Sequence, residues 1–492
     1  MERLRSWAFV LILFAFSNTG FSTLVYSAEY FGARPVPRIW ENPTCESSSS
    51  ASARINFSLN ISKWPSDLVR KYSYAWGTPT NPAEGVFYLQ EELPKLLELD
   101  LSLGNDSFCF FVNLSLQKEY QNKLRTLETL HNVPLDLSID LNFPSEAYLY
   151  YASDNFFIAV GRFKISWGNA RYPVSVAPVS PFDNITFMIR FSDFVFTFHA
   201  IPSYQLLTPP EYEIQRSYSD QHMAGQYFFE PSKYIFAHRL DFHRNFSNDF
   251  ALRVGIGEIN VVGGKYPDLI DLSPAVFYHN TYGEGYSNVA GGIDFSLWYR
   301  NSVNFYGEFF MDDFVSPTEV GSSYKPGAYA YNVGINLKSE NHNLWLEYAY
   351  VSEWMYVTNY LPYLRINVRK FYIQNFPPTR FLVDYPLGFI YGPDAKMFSL
   401  GFESCLGEVG YSLEYNYLIK GLVKDGETIR WKWFWDSWPG NVSEPGATTP
   451  ERAGEQGYHL LTARANFKNF TLLYKTVNLE NHYLGLTVSL KW

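Results

Sequence analysis

The chain has 492 residues, 47% of them hydrophobic and 19% aromatic, with Tyr 38, Phe 41 and Trp 13. That length exceeds one ordinary globular core, except for a large membrane barrel, whose strands need no central core. A net charge of -10, from 39 basic and 49 acidic residues, excludes nucleic acid as the main partner. A mean hydropathy of -0.18, with no run of about 20 apolar residues beyond the N-terminus, excludes a helical membrane protein.

Arg3 and Arg5 precede an apolar stretch of roughly ten residues, Trp7 to Phe16, the length of a signal-peptide core and too short to span a bilayer. Val25 and Ser27 supply small side chains at the -3 and -1 positions, so residues 1–27 are predicted to be removed before Ala28. Residues 28–52 then form a short periplasmic segment, and 53–492 the membrane domain. The odd, sparse set Cys45, Cys109 and Cys405 predicts no disulfide framework and no structural zinc.

From there on, side-chain character alternates with a period of two, the period that places successive residues on opposite faces of a strand. Phe236, His238, Leu240 and Phe242 alternate with Ala237, Arg239 and Asp241. Ile293 to Tyr299, Tyr329 to Leu337 and Val409 to Tyr417 repeat the pattern with aromatics at their ends, where interfacial girdles would need them. The last stretch is the clearest: Leu484, Leu486, Val488, Leu490 and Trp492 alternate with Gly485, Thr487, Ser489 and Lys491. Ending on Trp492 resembles the C-terminal assembly signal read by the barrel assembly machinery.

Short and long connections also alternate. Short turns fall near Ala152–Asn155, Ser192–Asp193, Arg244–Asn248, Arg300–Asn301, Ser339–His342, Cys405–Gly407 and Lys468–Asn469. Long segments lie near 163–184, 201–233, 260–288, 312–327, 351–396 and 419–457. Bacterial barrels have short periplasmic turns and long outer loops, and the spacing gives about eighteen strands. The fold class is therefore all-β: a closed antiparallel transmembrane barrel in outer-membrane lipid. The stretches 62–95 and 118–145 carry mixed signals.

With the apolar face toward lipid, Arg190, Arg239, Asp241, Arg253, Asp294, Glu308, Glu347, Glu414 and Arg464 face the lumen. A basic residue on the lipid side would cost about 2–4 kcal/mol at mid-membrane. Both signs occur, so these charges either line a selective pore or close it by bridging; packing of the lumen is the favoured reading over an ion-selective filter.

Gly161-Arg162 and Trp167-Gly168, with Glu146-Ala147-Tyr148 before them, recur in porin-like barrels. A narrower set follows: His238-Arg239-Leu240, Gly257-Glu258, Glu308 with Asp312-Asp313-Phe314, Pro386-Leu387-Gly388 and Gly392-Pro393-Asp394-Ala395. In this order, across roughly 146–404, the chain resembles the Wzi-like capsule assembly family. The resemblance implies an outer-membrane barrel that binds surface polysaccharide and helps organise a capsule. Better-known members carry an N-terminal helical bundle at the periplasmic mouth; residues 28–52 are too short for one.

Trp431, Trp433, Trp435 and Trp438 crowd into the outer segment 419–457. Flat apolar faces are costly in water without a partner, and indoles stack on the C–H faces of pyranoses. The four tryptophans are candidate polysaccharide contacts; the alternative is that the loop folds inward and packs them against the barrel mouth. Asp312-Asp313 reads as an acidic turn pair rather than a metal site, since no regular series of oxygen ligands surrounds it. No G-x-S-x-G elbow, H-E-x-x-H helix or phosphate loop occurs, and neither enzyme activity nor a cofactor is expected. The leading expectation is a binding barrel for surface polysaccharide; the alternative is a porin.

Overall fold

The computed structural model describes residues 50–63, 95–117, 144–203, 232–264, 287–313, 327–358, 364–374, 379–436 and 451–491, single positions apart, with short pieces between them. Eighteen long strands close into one antiparallel barrel. The first six are β1 (Ser50–Lys63), β2 (Leu97–Gly104), β3 (Phe108–Leu116), β4 (Glu146–Ala152), β5 (Phe156–Ile165) and β6 (Phe182–Phe191). Then come β7 (Phe194–Pro202), β8 (Lys233–Asn245), β9 (Phe250–Gly263), β10 (Ser287–Tyr299), β11 (Val303–Asp313) and β12 (Ala328–Lys338). The wall is completed by β13 (His342–Val351), β14 (Ala395–Leu406), β15 (Val409–Asp425), β16 (Glu451–Phe467), β17 (Phe470–Val477) and β18 (Asn481–Lys491). The seam pairs β1 with β18, from Arg54 opposite Lys491 to Lys63 opposite His482. The barrel thus begins at Ser50, three positions before the expected start.

The wall is inside-out, as the alternation requires. On β12, Tyr329, Tyr331 and Val333 are 40%, 37% and 39% exposed, while Ala330 and Asn332 between them are 0% and 2%. The same reversal, apolar outward and polar inward, runs through Leu472, Leu484 and Leu486 on β17 and β18 and through Phe398 and Leu400 on β14. A soluble sheet would bury those leucines; an outward apolar face is the arrangement of a membrane barrel. Short turns at one end use positive φ at Ser192, Arg300, Gly407 and Lys468, the backbone that tight hairpins need. By the same rule of short inner turns, this end faces the periplasm.

The other end carries the long connections, and they are not all loops. The long segment expected near 351–396 contains the hairpin Asn367–Gln374 with Thr379–Pro386. It pairs with Ser73–Ala75, which pairs with Thr78–Thr80, giving a separate four-stranded sheet. That sheet explains the mixed signal of 62–95: part of it builds an outer structure rather than the wall. Most of 118–145 lies outside the described residues, as do the signal peptide apart from the pair Val25–Tyr26, which lies beside Lys164–Ile165, and Trp492. The cysteines add a feature the sequence reading did not name: Cys109 is disulfide-bonded and buried, whereas Cys405 is free. One disulfide was overlooked because an odd count argues only against a full framework.

The hydrophobic core lies inside the barrel and runs from the outer segments to the short-turn end, where Ala152, Phe157 and Val195 belong to it. Val174, Val176, Tyr356, Leu364, Leu387, Phe389, Trp433 and Phe434 form one buried cluster with lumen-facing wall residues such as Ala330, Ala349 and Met397. These side chains come from three outer segments, 166–181, 352–394 and 426–436, folded back into the cylinder.

Candidate functional site

Residues 166–181 leave β5 and cross the lumen without secondary structure before returning to β6. Proline at 173, 178 and 181 removes three N–H donors and keeps this segment out of any sheet ladder. Its remaining polar backbone must find partners in the lumen, because a buried N–H left unbonded costs roughly 1–3 kcal/mol. The wall supplies them as carboxylates on neighbouring strands. Glu347 of β13 accepts the backbone N–H groups of Arg171 at 2.8 Å and Tyr172 at 2.9 Å. Glu308 of β11 accepts the Val174 N–H and, at 2.7 Å, the Ser175 hydroxyl. Glu414 of β15 receives the Arg171 guanidinium at 2.8 and 3.1 Å, and the Tyr172 hydroxyl donates to the same carboxylate.

Two glycines make room for this arrangement. Gly334 lies between Tyr306 and Glu347 in the ladder. A side chain at 334 would collide with the Tyr306 ring, which crosses the bare backbone to donate its hydroxyl to Glu347 at 2.7 Å. The Asn332 amide adds a further donor at 2.7 Å, so four donors converge on one carboxylate that is 2% exposed. Likewise, Trp345 lies across Gly401 and presents its face to the Arg171 guanidinium, 4.0 Å from the ring centroid. Tyr356 closes the top by donating its hydroxyl to the Val174 carbonyl.

Next to Glu308, whose cross-strand partner is Asp294, Arg239, Asp241, Arg253 and Asp294 form a buried cluster. Arg239 reaches Asp241 at 2.5 and 2.8 Å and Asp294 at 2.8 Å; Arg253 also pairs with Asp294. Two cations meet two anions, which is the condition for burying charge without a large penalty. Trp167 at the start of the crossing segment stacks near Arg239, 5.1 Å from its centroid, and donates its indole N–H to His199 at 3.2 Å.

At the outer mouth, residues 426–436 fold inward. Arg430 holds Asp436 through two hydrogen bonds of 2.6 and 2.9 Å, and Asp436 also accepts the Trp433 N–H at 2.9 Å. This clamp turns the tryptophans into the barrel. Trp431 is 6% exposed and donates to the Tyr458 hydroxyl at 2.9 Å; Trp433 is 0% exposed. Gly392, at φ 73°, lets Trp433 settle on it, since a Cβ there would lie 2.8 Å from the indole. Trp435 stacks on Trp433 with centroids 5.1 Å apart and remains partly exposed. Lys432 lies with its ammonium 3.0 Å from the Trp354 centroid and 2.7 Å from Glu353, and its burial lowers its pKa against the pull of Glu353. The expectation of four water-facing indoles is thus corrected for Trp431 and Trp433, whose faces are covered by protein. Trp438 lies outside the described residues.

The register sets all nine expected lumen charges on the inner face. Arg190 sits between outward Ile189 and Phe191, and Arg464 is paired with inward Leu473. Six are buried: Arg239, Asp241, Arg253, Asp294, Glu308 and Glu347. The crossing segment itself, with Arg171 and Tyr172, was missed as a functional element. The available signal was its three prolines and the loss of alternation between two clear strands. Among the described residues, no group of three or more His, Cys, Asp or Glu converges as a metal site would require.

The profile of the family described as capsule assembly protein Wzi matches residues 140–422. Wzi from Escherichia coli, described as an outer-membrane, carbohydrate-binding β-barrel involved in group 1 capsule assembly, is similar at 13% identity and a TM-score of 0.47, over 89% of this chain and 84% of that one. OpdO of Pseudomonas aeruginosa is similar at 9% identity and a TM-score of 0.40, over 90% and 97% of the two chains. OccAB4 of Acinetobacter baumannii aligns at 10% identity and a TM-score of 0.38, over 92% and 100%. No curated protein sequence matches the chain.

Proposed function

This chain belongs to the Wzi capsule assembly family, and from that premise we propose that it binds or organises surface polysaccharide at its outer mouth, without catalysing a reaction. It is an outer-membrane protein. The observation that carries the reading is the crossing of the lumen by residues 166–181, fastened to Glu308, Glu347 and Glu414. A barrel filled by its own chain suits attachment at the rim better than passage of solute. The rim has fitting chemistry. Trp435 offers a partly open indole, and a series of ion pairs runs Lys396–Glu455–Arg452–Asp394, with Glu353–Lys432 next to it and Trp354 stacked on Lys432. Aromatic faces and polar groups side by side are what a hydrated pyranose chain requires. The partners in this reading are outer-membrane lipid on the belt, polysaccharide at the mouth and, during biogenesis, the barrel assembly machinery at the C-terminal strand.

The test is retention of labelled surface glycan in cells that depend on this protein. Trp435→Ala and Trp354→Ala should release glycan to the medium while the amount of heat-modifiable barrel stays unchanged. The porin alternative gains if both variants hold glycan as the parent does and the purified parent gives a steady, large conductance in planar bilayers.

A further inference from the structure

At the opposite end of the barrel, a cavity of about 180 Å³ is lined by Arg190, Ser192, Asp193, Val195, His243, Arg244 and Asn245. Its residues come from the inner ends of β6, β7 and β8. Arg190 faces inward opposite Val195, and Val195 lies opposite Asp241, two positions before His243. Arg190 and His243 therefore come from the two strands that flank β7. The backbone ties the cup together, because the His243 N–H donates to the Asp193 carbonyl at 2.7 Å.

The polar groups in this cup are not all used. Arg244 is paired with Asp193 at 2.5 Å, so that cation is spoken for. The cluster above, Arg239 and Arg253 with Asp241 and Asp294, is balanced internally. Arg190 makes no ion pair or side-chain hydrogen bond with the described residues. His243 is 6% exposed, and neither of its ring nitrogens has a hydrogen-bond partner among the described residues. A buried imidazole normally bonds through at least one nitrogen, because leaving both unused forfeits its hydration without return. One uncompensated cation and one buried imidazole thus line the same cavity, with the Ser192 hydroxyl and Asn245 amide at its rim.

We propose that this periplasmic cup binds a single oxyanion, a phosphate or carboxylate group, held by the Arg190 guanidinium and an imidazole N–H of His243. The guanidinium fork matches two oxygens of either group, and charge-assisted bonds of this kind are about twice as strong as neutral ones. The site lies at the far end of the lumen from the tryptophan mouth and does not depend on the polysaccharide reading.

The experiment uses the full-length protein in detergent. It is titrated calorimetrically with inorganic phosphate, and separately with glucuronate as the carboxylate probe, against sodium chloride of equal ionic strength. The parent should bind at least one probe saturably, and which one binds tells phosphate from carboxylate. Arg190→Gln should weaken that binding about tenfold or more, and His243→Phe should do so to a similar extent. Arg190→Lys, which keeps the charge but not the fork, should weaken binding less than Arg190→Gln yet measurably below the parent, and serves as the readout if Arg190→Gln does not reach the heat-modifiable folded form. Binding of neither probe by the parent would overturn the proposal, as would equal binding by the parent and a folded His243→Phe variant.

Discussion

Replacing Glu347 by Ala tests what closes the lumen. The carboxylate accepts two N–H groups from the crossing segment, at 2.8 and 2.9 Å, and two further donors from the wall. Only the first two fasten the segment. At about 1.5–3 kcal/mol for each hydrogen bond to a charged group, their loss removes roughly 3–6 kcal/mol of docking. That is an upper figure, because the freed amides regain water once the segment lifts away. With about 1.4 kcal/mol per factor of ten, the ratio of closed to open barrels should fall by on the order of 10²–10⁴. Glu308 and Glu414 still hold Val174, Ser175 and Arg171, and Val174 and Val176 remain buried. Single-channel recording in planar bilayers should therefore show a silent parent, brief openings for Glu347→Ala and sustained current when 169–176 is replaced by a Gly-Ser stretch. A parent that conducts steadily, or a Gly-Ser variant as silent as the parent, would refute the idea that this segment is the closure.

Arg239→Met leaves Asp241 and Asp294 with less compensation in a dry site, and should cost about 3–5 kcal/mol, read as a lower temperature for the heat-modifiability shift on gels. Adding Asp241→Asn should restore part of the loss. Trp433→Ala should cost about 3–5 kcal/mol by opening a cavity at the mouth. Gly392→Ala should move the same transition downward, since its positive φ and the overlying indole both resist a Cβ. N-terminal sequencing of the exported protein should give Ala28; a start at Met1 would show that residues 1–27 stay attached.

The barrel was readable because its pattern is local. Tyr329, Tyr331 and Val333 alternate with Ala330 and Asn332 over five consecutive residues, and the wall then forces every neighbouring strand into the same period. The family resemblance was also readable, and its most specific piece has a physical reason: Gly392 seats Trp433, and Asp394 binds Arg452 at 3.2 and 3.3 Å. The closure was not readable. Arg171 and Glu347 are 176 residues apart in sequence, and nothing in either stretch names the other. The mouth failed for a different reason. A run of tryptophans looks alike whether it faces water or packs inward, and what decides is the Arg430–Asp436 clamp, a six-residue contact that composition does not reveal. Lone glycines on inward positions, such as Gly334 and Gly401, were the one local hint that large side chains lie across the wall.

The way the lumen charges are compensated bears on which function they can serve. A selectivity filter needs charge that stays available to an ion in transit. In the middle of this barrel, Arg239 and Arg253 are matched by Asp241 and Asp294, and Glu308 and Glu347 are occupied by amide and hydroxyl donors of the crossing segment and the wall. Glu414 is occupied by Arg171 and Tyr172. Charges bound in this way act on the chain rather than on passing solute: they fix the crossing segment, which with the folded loops above it gives the mouth a rigid base. Rigidity there has value for binding, because a rim held in place loses less conformational freedom when a glycan docks. Only near the periplasmic end, at Arg190, does a lumen-facing cation keep an open coordination shell toward the described residues. The two proposed binding roles thus fall at the two ends of the barrel, while the charges at its centre are compensated by the chain itself.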